Sequence, residues 1–160
     1  MTTETRPDTP FHTVSHAIFR VARLHKLIAA NLLRRTGLYP NQELVMMQLW
    51  NKGPQRQADL VKALGSDAAS MTRTIQRLER AGFVRRSPSP GDRRATIVDS
   101  TTAGRALRAA VEDVWRQLEA MTIGELGDTE VAATLACLRA LEDNLTHASA
   151  GFTQQVPVDL

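Results

Sequence analysis

QADLVKALGSDAASMTRTIQRLERAG, residues 57–82, holds two helical patterns separated by a turn of a few residues. In the first, Ala58, Leu60, Val61 and Leu64 make two turns of helix before Gly65, which can adopt the positive backbone angle that a tight turn demands. Ser66 and Asp67 both suit the cap that follows, because a short side-chain oxygen accepts from the free N–H groups of a helix's first turn. In the second, Met71, Ile75 and Leu78 stand at i, i+4 and i+7 on one face of a helix that Ala81-Gly82 closes. Two helices joined in this way predict a helix-turn-helix.

Downstream, Phe83–Arg86 and Arg93–Val98 flank the cluster Ser87-Pro88-Ser89-Pro90-Gly91-Asp92, so two strands around a turn are predicted. The two prolines exclude a central strand, which leaves an exposed ribbon, a wing. Ser100 or Thr101 caps a further long helix with Leu107, Val111, Val114, Trp115, Leu118 and Met121 on one face. Gly124–Gly127 breaks it, Asp128 or Thr129 caps the last helix, and Val131, Leu135, Leu138, Leu141 and Leu145 form its stripe. Upstream, a long helix from about Phe11 to Arg35 repeats apolar residues at Val14, Ile18, Val21, Leu24, Ile28 and Leu32 and stops at Gly37. Pro40 suits the first position of a short helix reaching Trp50, which Gly53-Pro54 ends.

The predicted fold is therefore mainly α with a small β wing. A winged helix-turn-helix (38–100) lies between helical segments 11–36 and 101–149, with tails at 1–10 and 150–160. The flanking stripes fall outside the small winged core and need cover; a second copy in two-fold symmetry is the commonest solution, making these the dimerisation helices.

Only 4% of the 160 residues are aromatic, so aliphatic side chains must do the packing. The lone Cys137 cannot form an internal disulfide and is read as a packing residue of the last helix. No signal peptide or long uncharged apolar run is present, so a cytoplasmic protein without membrane contact is expected. The net charge of +3 is unevenly spread. Residues 56–94 carry nine basic against four acidic side chains, while 101–160 carry four against nine. A basic middle fits a segment that meets phosphate, although a salt-bridged solvated surface would give the same count. No nucleophile elbow, phosphate-binding glycine loop or paired carboxylates at useful spacing are seen, which speaks against an enzyme. No cofactor and no metal are expected: His12 and His16 stand four apart but lack matching ligands and read as surface or capping histidines.

Taken together, Ala58–Gly65, Ser70–Val84, Gly91-Asp92-Arg93-Arg94 and Thr101-Thr102-Ala103-Gly104 resemble the MarR family of regulators. One departure is Tyr39 before Pro40, where the family commonly has a small capping residue; the second helix is therefore expected to be capped differently. The resemblance implies a triangular homodimer with a winged domain at each lower corner, acting as a repressor on a palindromic operator in duplex DNA. With Met71, Ile75 and Leu78 inward, Ala68, Ala69, Ser70, Thr72, Arg73 and Gln76 fall on or beside the outer face of the recognition helix. There Arg73 can donate twice to guanine or else hold a phosphate. By resemblance, Arg77 pairs with Asp92 to hold the wing, and Arg94 or Arg93 enters the adjacent minor groove. The resemblance also implies a pocket for a small aromatic, often anionic effector, for which His16, Arg20, Met46, Trp50 and Trp115 are the candidate side chains. The alternative is a winged-helix module for protein assembly or sequence-tolerant DNA binding.

Overall fold

Thr13 opens the first element, α1 (Val14–Leu33), by accepting from the His16 N–H at 3.3 Å. A short 3-10 turn (Arg34–Thr36) follows and ends on Gly37 at φ +77°. The computed structural model describes residues 13–153. The proposed tail at 1–10, and His12 with it, therefore lie outside the described residues.

The second helix, α2 (Gln42–Lys52), begins two residues later than Pro40 predicts. Asn41, at φ +74°, takes a left-handed conformation that asparagine tolerates better than most side chains. Instead of a small capping hydroxyl, Gln42 reaches back, its Oε1 accepting from the Tyr39 N–H at 2.9 Å. This is the different capping that Tyr39 called for.

The helix-turn-helix stands as read. After a two-residue strand β1 (Gln55–Arg56), α3 (Gln57–Ala63) ends at Leu64, Gly65 turns at φ +57°, and α4 (Ala68–Arg80) starts from Asp67. Between the two possible caps the structure uses Asp67, whose Oδ1 accepts from the Ser70 N–H at 2.8 Å. Met71, Ile75 and Leu78 are buried against Met46 and Leu49 of α2, Leu60 of α3 and Val98 of the sheet. This cluster fixes which face of α4 is left outside. Cutting Ile75 or Leu78 to Ala would cost on the order of 2–5 kcal/mol.

The wing is β2 (Val84–Ser89) paired antiparallel with β3 (Asp92–Ser100), from Val84↔Ser100 to Pro88↔Thr96, with an irregularity before Ser89↔Asp92. Its strands are longer than predicted and the turn shorter. The sheet has three strands in the order β1-β3-β2, because Gln55 and Arg56 pair with Val98 and Ile97. Sequence patterning cannot see a strand of two residues. Pro88 sits on an edge strand, where a missing N–H does no harm.

Thr101, rather than Ser100, caps the next helix, accepting from the Gly104 N–H at 3.0 Å. That helix is broken where one long helix was expected: α5 (Thr102–Ala106) stops at Leu107 and α6 (Arg108–Ile123) begins anew. Gly104 is packed so closely that a Cβ there would lie 2.1 Å from the Phe83 carbonyl oxygen. Only glycine fits. The chain divides at Glu119/Ala120 into two units. In the second, α7 (Asp128–Thr153) runs further than predicted, into the segment assigned to the C-terminal tail. Neither Asp128 nor Thr129 caps it; Glu130 reaches back to accept from the Gly127 N–H at 2.9 Å. Cys137 is exposed, not packed as expected, and so are Leu135 and Leu138 on the same helix.

Candidate nucleic-acid interface

The first turns of α4 present the residues assigned to DNA. Ala68, Ala69 and Arg73 are exposed, and Ser70, Thr72 and Gln76 are half-buried. Small side chains at 68 and 69 leave the helix N-terminus open to close approach, and its free N–H groups favour an anion there. Asp67 works against that. Its carboxyl lies below the usual range because Ser70 hydrogen-bonds it, with a smaller contribution from the charge of Arg73.

Two of these side chains are already held. Arg73 Nη2 donates to Ser70 Oγ at 3.1 Å, which draws the guanidinium toward the helix's N-terminal end. Thr72 Oγ1 donates to the Ala68 carbonyl at 2.8 Å and accepts from Gln57 Nε2 at 2.8 Å. Thr72 therefore has its donor engaged, and Gln57, at the head of α3, is brought beside the recognition helix. Sequence reading passed over Gln57 because it stands at a helix start with no charge or motif to mark it.

At the tip of the wing, Gly91 turns at φ +82°, and Asp92 Oδ1 accepts from the Arg94 N–H at 3.0 Å. The Arg94 side chain is exposed beside it. Arg93 follows Asp92 in β3. The expected pairing of Arg77 with Asp92 is corrected by the structure. Among the described residues no ion pair joins them; Arg77 is exposed, and an Asp92 oxygen is turned into its own loop.

The tie between wing and recognition helix lies elsewhere. Glu79, near the end of α4, accepts from Arg86 of β2 through the backbone N–H at 3.3 Å and through Nε at 2.9 Å. These contacts with Arg86 hold the Glu79 carboxyl below the usual range. A second wing arginine, Arg85, bridges to Asp99 across the strands at 2.5 Å. Arg85 and Arg86, though exposed, are thus paired with acidic side chains of the fold; Arg73, Arg77 and Arg94 are exposed as well.

The five effector candidates do not form one site. Met46 is fully buried in the core, and half-buried Trp50 donates to the Gly104 carbonyl at 3.2 Å. His16 and Arg20 lie on the first half of α1, away from the cavity that Trp115 lines. That cavity, of about 220 Å³, lies between α1, the start of α2, and α6, with His25, Lys26, Glu43, Val114 and Leu118 in its wall. Burial pushes the Glu43 carboxyl up, against the backbone N–H groups of Glu43 and Asn41 that hold it down. Sequence reading missed His25, Lys26 and Glu43; a lone carboxylate at the head of the apolar run Leu44-Val45-Met46-Met47 was the available signal.

Among the described residues, no group of three His, Cys, Asp or Glu side chains could hold a metal ion, and no helix is long and apolar enough to cross a membrane.

Comparison with known proteins gives consistent relatives. The MarR family model matches residues 38–96. The HTH-type transcriptional repressor NicR of Pseudomonas putida is 33% identical over 131 residues, 82% of this chain and 83% of NicR. Among solved structures, Bordetella bronchiseptica BpsR, whose DNA binding is regulated by 6-hydroxynicotinic acid, superposes with a TM-score of 0.79 at 29% identity. The match covers 86% of this chain and 99% of BpsR. A mutant MarR from E. coli complexed with operator DNA gives a TM-score of 0.75 at 25% identity, covering 80% of this chain and 92% of MarR.

Proposed function

The chain belongs to the MarR family of transcription regulators, DNA-binding proteins and not enzymes, and we propose that it represses transcription by binding a palindromic operator as a homodimer that a small anionic aromatic effector releases. In this reading α4 enters the major groove. Ala68, Ala69 and Ser70 approach the DNA backbone, Arg73 reads a base edge, and Thr72, Gln76 and Arg77 border the contact. The wing tip follows the neighbouring phosphates, with Arg94, and Arg93 beside it, at the minor groove and Asp92 shaping the loop.

The observation that carries the reading is the outward side of α4. Its core face is filled by Met71, Ile75 and Leu78, and the opposite side offers small residues and a steered arginine where a groove-reading helix needs them. Repression is supported by NicR, and operator binding by the MarR complex. Release by an effector is supported by BpsR and by the Trp115 cavity beside α1 and α2.

Selection of bound sequences from random DNA tests specificity, symmetry and half-site spacing together. Palindromic sites with half-sites about one helical turn apart are the expected product, preferred over random DNA by at least about 10³ at physiological salt. A ratio near one would overturn the reading in favour of a sequence-tolerant or assembly module.

A further inference from the structure

The cavity lined by Trp115 contains a group that the fold leaves unsatisfied. Glu43 is 7% exposed, and its Oε2 is buried with no hydrogen-bond partner among the described residues. Its remaining bonds come from backbone N–H groups at the start of α2. A carboxylate oxygen in an apolar wall with nothing to accept from is costly, and such groups call for an explanation in ligand or water. Here the oxygen belongs to a residue lining a cavity of about 220 Å³. A dry cavity of roughly 150 Å³ already admits benzene, so this one holds a single substituted ring.

The other walls narrow the chemistry. Lys26 and His25 of α1 stand on the cavity lining and offer donors to an anionic substituent, while the half-buried Trp115 indole offers an apolar ring wall. A ligand bearing only an anionic group would leave Glu43 unmatched and would set two negative charges in one small cavity. A ring that also carries an N–H or O–H donor satisfies both ends.

Building on the effector reading above, we propose that Glu43 is the specificity-determining residue of this pocket: Oε2 accepts a hydrogen bond from a ring N–H or hydroxyl of a small planar anionic ligand whose anionic group faces Lys26 and His25. A plain aromatic carboxylate binds more weakly because it leaves the Glu43 oxygen unpaired. Losing one hydrogen bond to a charged acceptor in a desolvated site corresponds to about tenfold or more in affinity.

The test is calorimetric titration of the full chain with 6-hydroxynicotinate, whose pyridone form carries a ring N–H, and with benzoate, which has no donor. Release of a bound operator duplex is followed in parallel. The wild type is expected to bind 6-hydroxynicotinate at least about tenfold tighter than benzoate. In Glu43→Met, which fills similar volume without an acceptor, the ratio should fall below about threefold, with benzoate binding retained. Glu43→Gln keeps an amide oxygen and should recover part of the ratio. Equal binding of both probes by the wild type, or an undiminished ratio in Glu43→Met, removes Glu43 from the role while leaving the effector pocket standing. Binding of neither probe to the wild type, with no release of DNA, overturns the effector reading and this proposal together.

Discussion

Arg73 and Arg94 are exposed arginines at two different places, the recognition helix and the wing tip, and they should fail differently when removed. If Arg94 displaces counterions from the minor groove, Arg94→Ala in a symmetric dimer removes two charges, and the slope of log affinity against log salt should become shallower by as much as about 1.8. Arg73→Ala should instead cost roughly 1–3 kcal/mol at one base pair per half-site and relax the preference there. Binding measured across a salt series on wild-type and single-mismatch operators checks both. An unchanged slope removes Arg94, and a loss uniform across sequences makes Arg73 a phosphate contact. Glu43 allows a prediction from stability alone. Its folded pKa is raised by burial, so the fold favours the neutral acid, and its contribution is fully present below the ordinary carboxylate value and lost as pH rises through the folded value. Glu43→Gln cannot ionise. Its melting temperature should match the wild type at acid pH and exceed it by a few degrees at neutral pH, in thermal scans from pH 4 to 8; a constant difference would mean that burial of the charge is not the cause. At this scale the sequence told which residues face outward, because helical periodicity sets that. It did not tell which side chains were already engaged: Thr72 by Gln57 and Ala68, Arg86 by Glu79.

The elements were legible where their cause is local. Gly65 as the turn, Asp67 as one of two possible caps and the Met71, Ile75, Leu78 stripe all follow from the residues present and recur in the structure. What stayed hidden depends on contact between segments distant in the chain. Strand β1 exists only because Gln55 and Arg56 find Val98 and Ile97, and the break between α5 and α6 follows a segment in which Gly104 is packed against the Phe83 carbonyl and Trp50. The wing's attachment belongs to the same class. The resemblance supplied Arg77 and Asp92 as partners, whereas in the structure it is Arg86 of β2 that hydrogen-bonds Glu79 of α4. If that pair aims the wing, Glu79→Gln should weaken operator binding severalfold while leaving the melting temperature within about a degree, since a partly exposed ion pair adds little to stability. Arg77→Gln should lack that wing effect and act only through its own DNA contact. Hydrogen exchange over β2 and β3 would separate the two, with faster exchange expected for Glu79→Gln alone.

For the molecule as a whole, the sequence foresaw apolar stripes outside the winged core: that of α6 is filled by Val111, Val114 and Leu118, which are buried, Val111 and Val114 in the winged core itself, contrary to expectation, whereas much of those of α1 and α7 stays exposed. Phe19 is 67% exposed and Val21 61% on α1, and Leu138 is 51% and Leu145 63% on α7. Isolated apolar side chains on a surface mean little, but rows of them on two helices outside the DNA-binding unit ask for a partner. A second copy also answers the functional need, since a palindrome is read by two identical helices related by the same axis as the DNA. Burying such rows at about 25 cal/mol per Å² gives a large favourable term from modest area, before the cost of association is subtracted. One charge should reverse it. Leu138→Asp places a carboxylate on a row that would be apolar in the pair, and sedimentation velocity should show the dimer replaced by monomer at micromolar concentration. The variant's winged unit does not include Leu138 and should keep its fold, so binding to a single half-site should persist at non-specific strength while the preference for the full palindrome disappears. A wild-type chain that sediments as a monomer at tens of micromolar, or a Leu138→Asp variant that remains a dimer with full operator preference, would remove this row from the proposed interface, and the first outcome would leave the proposed palindromic operator without its symmetric reader.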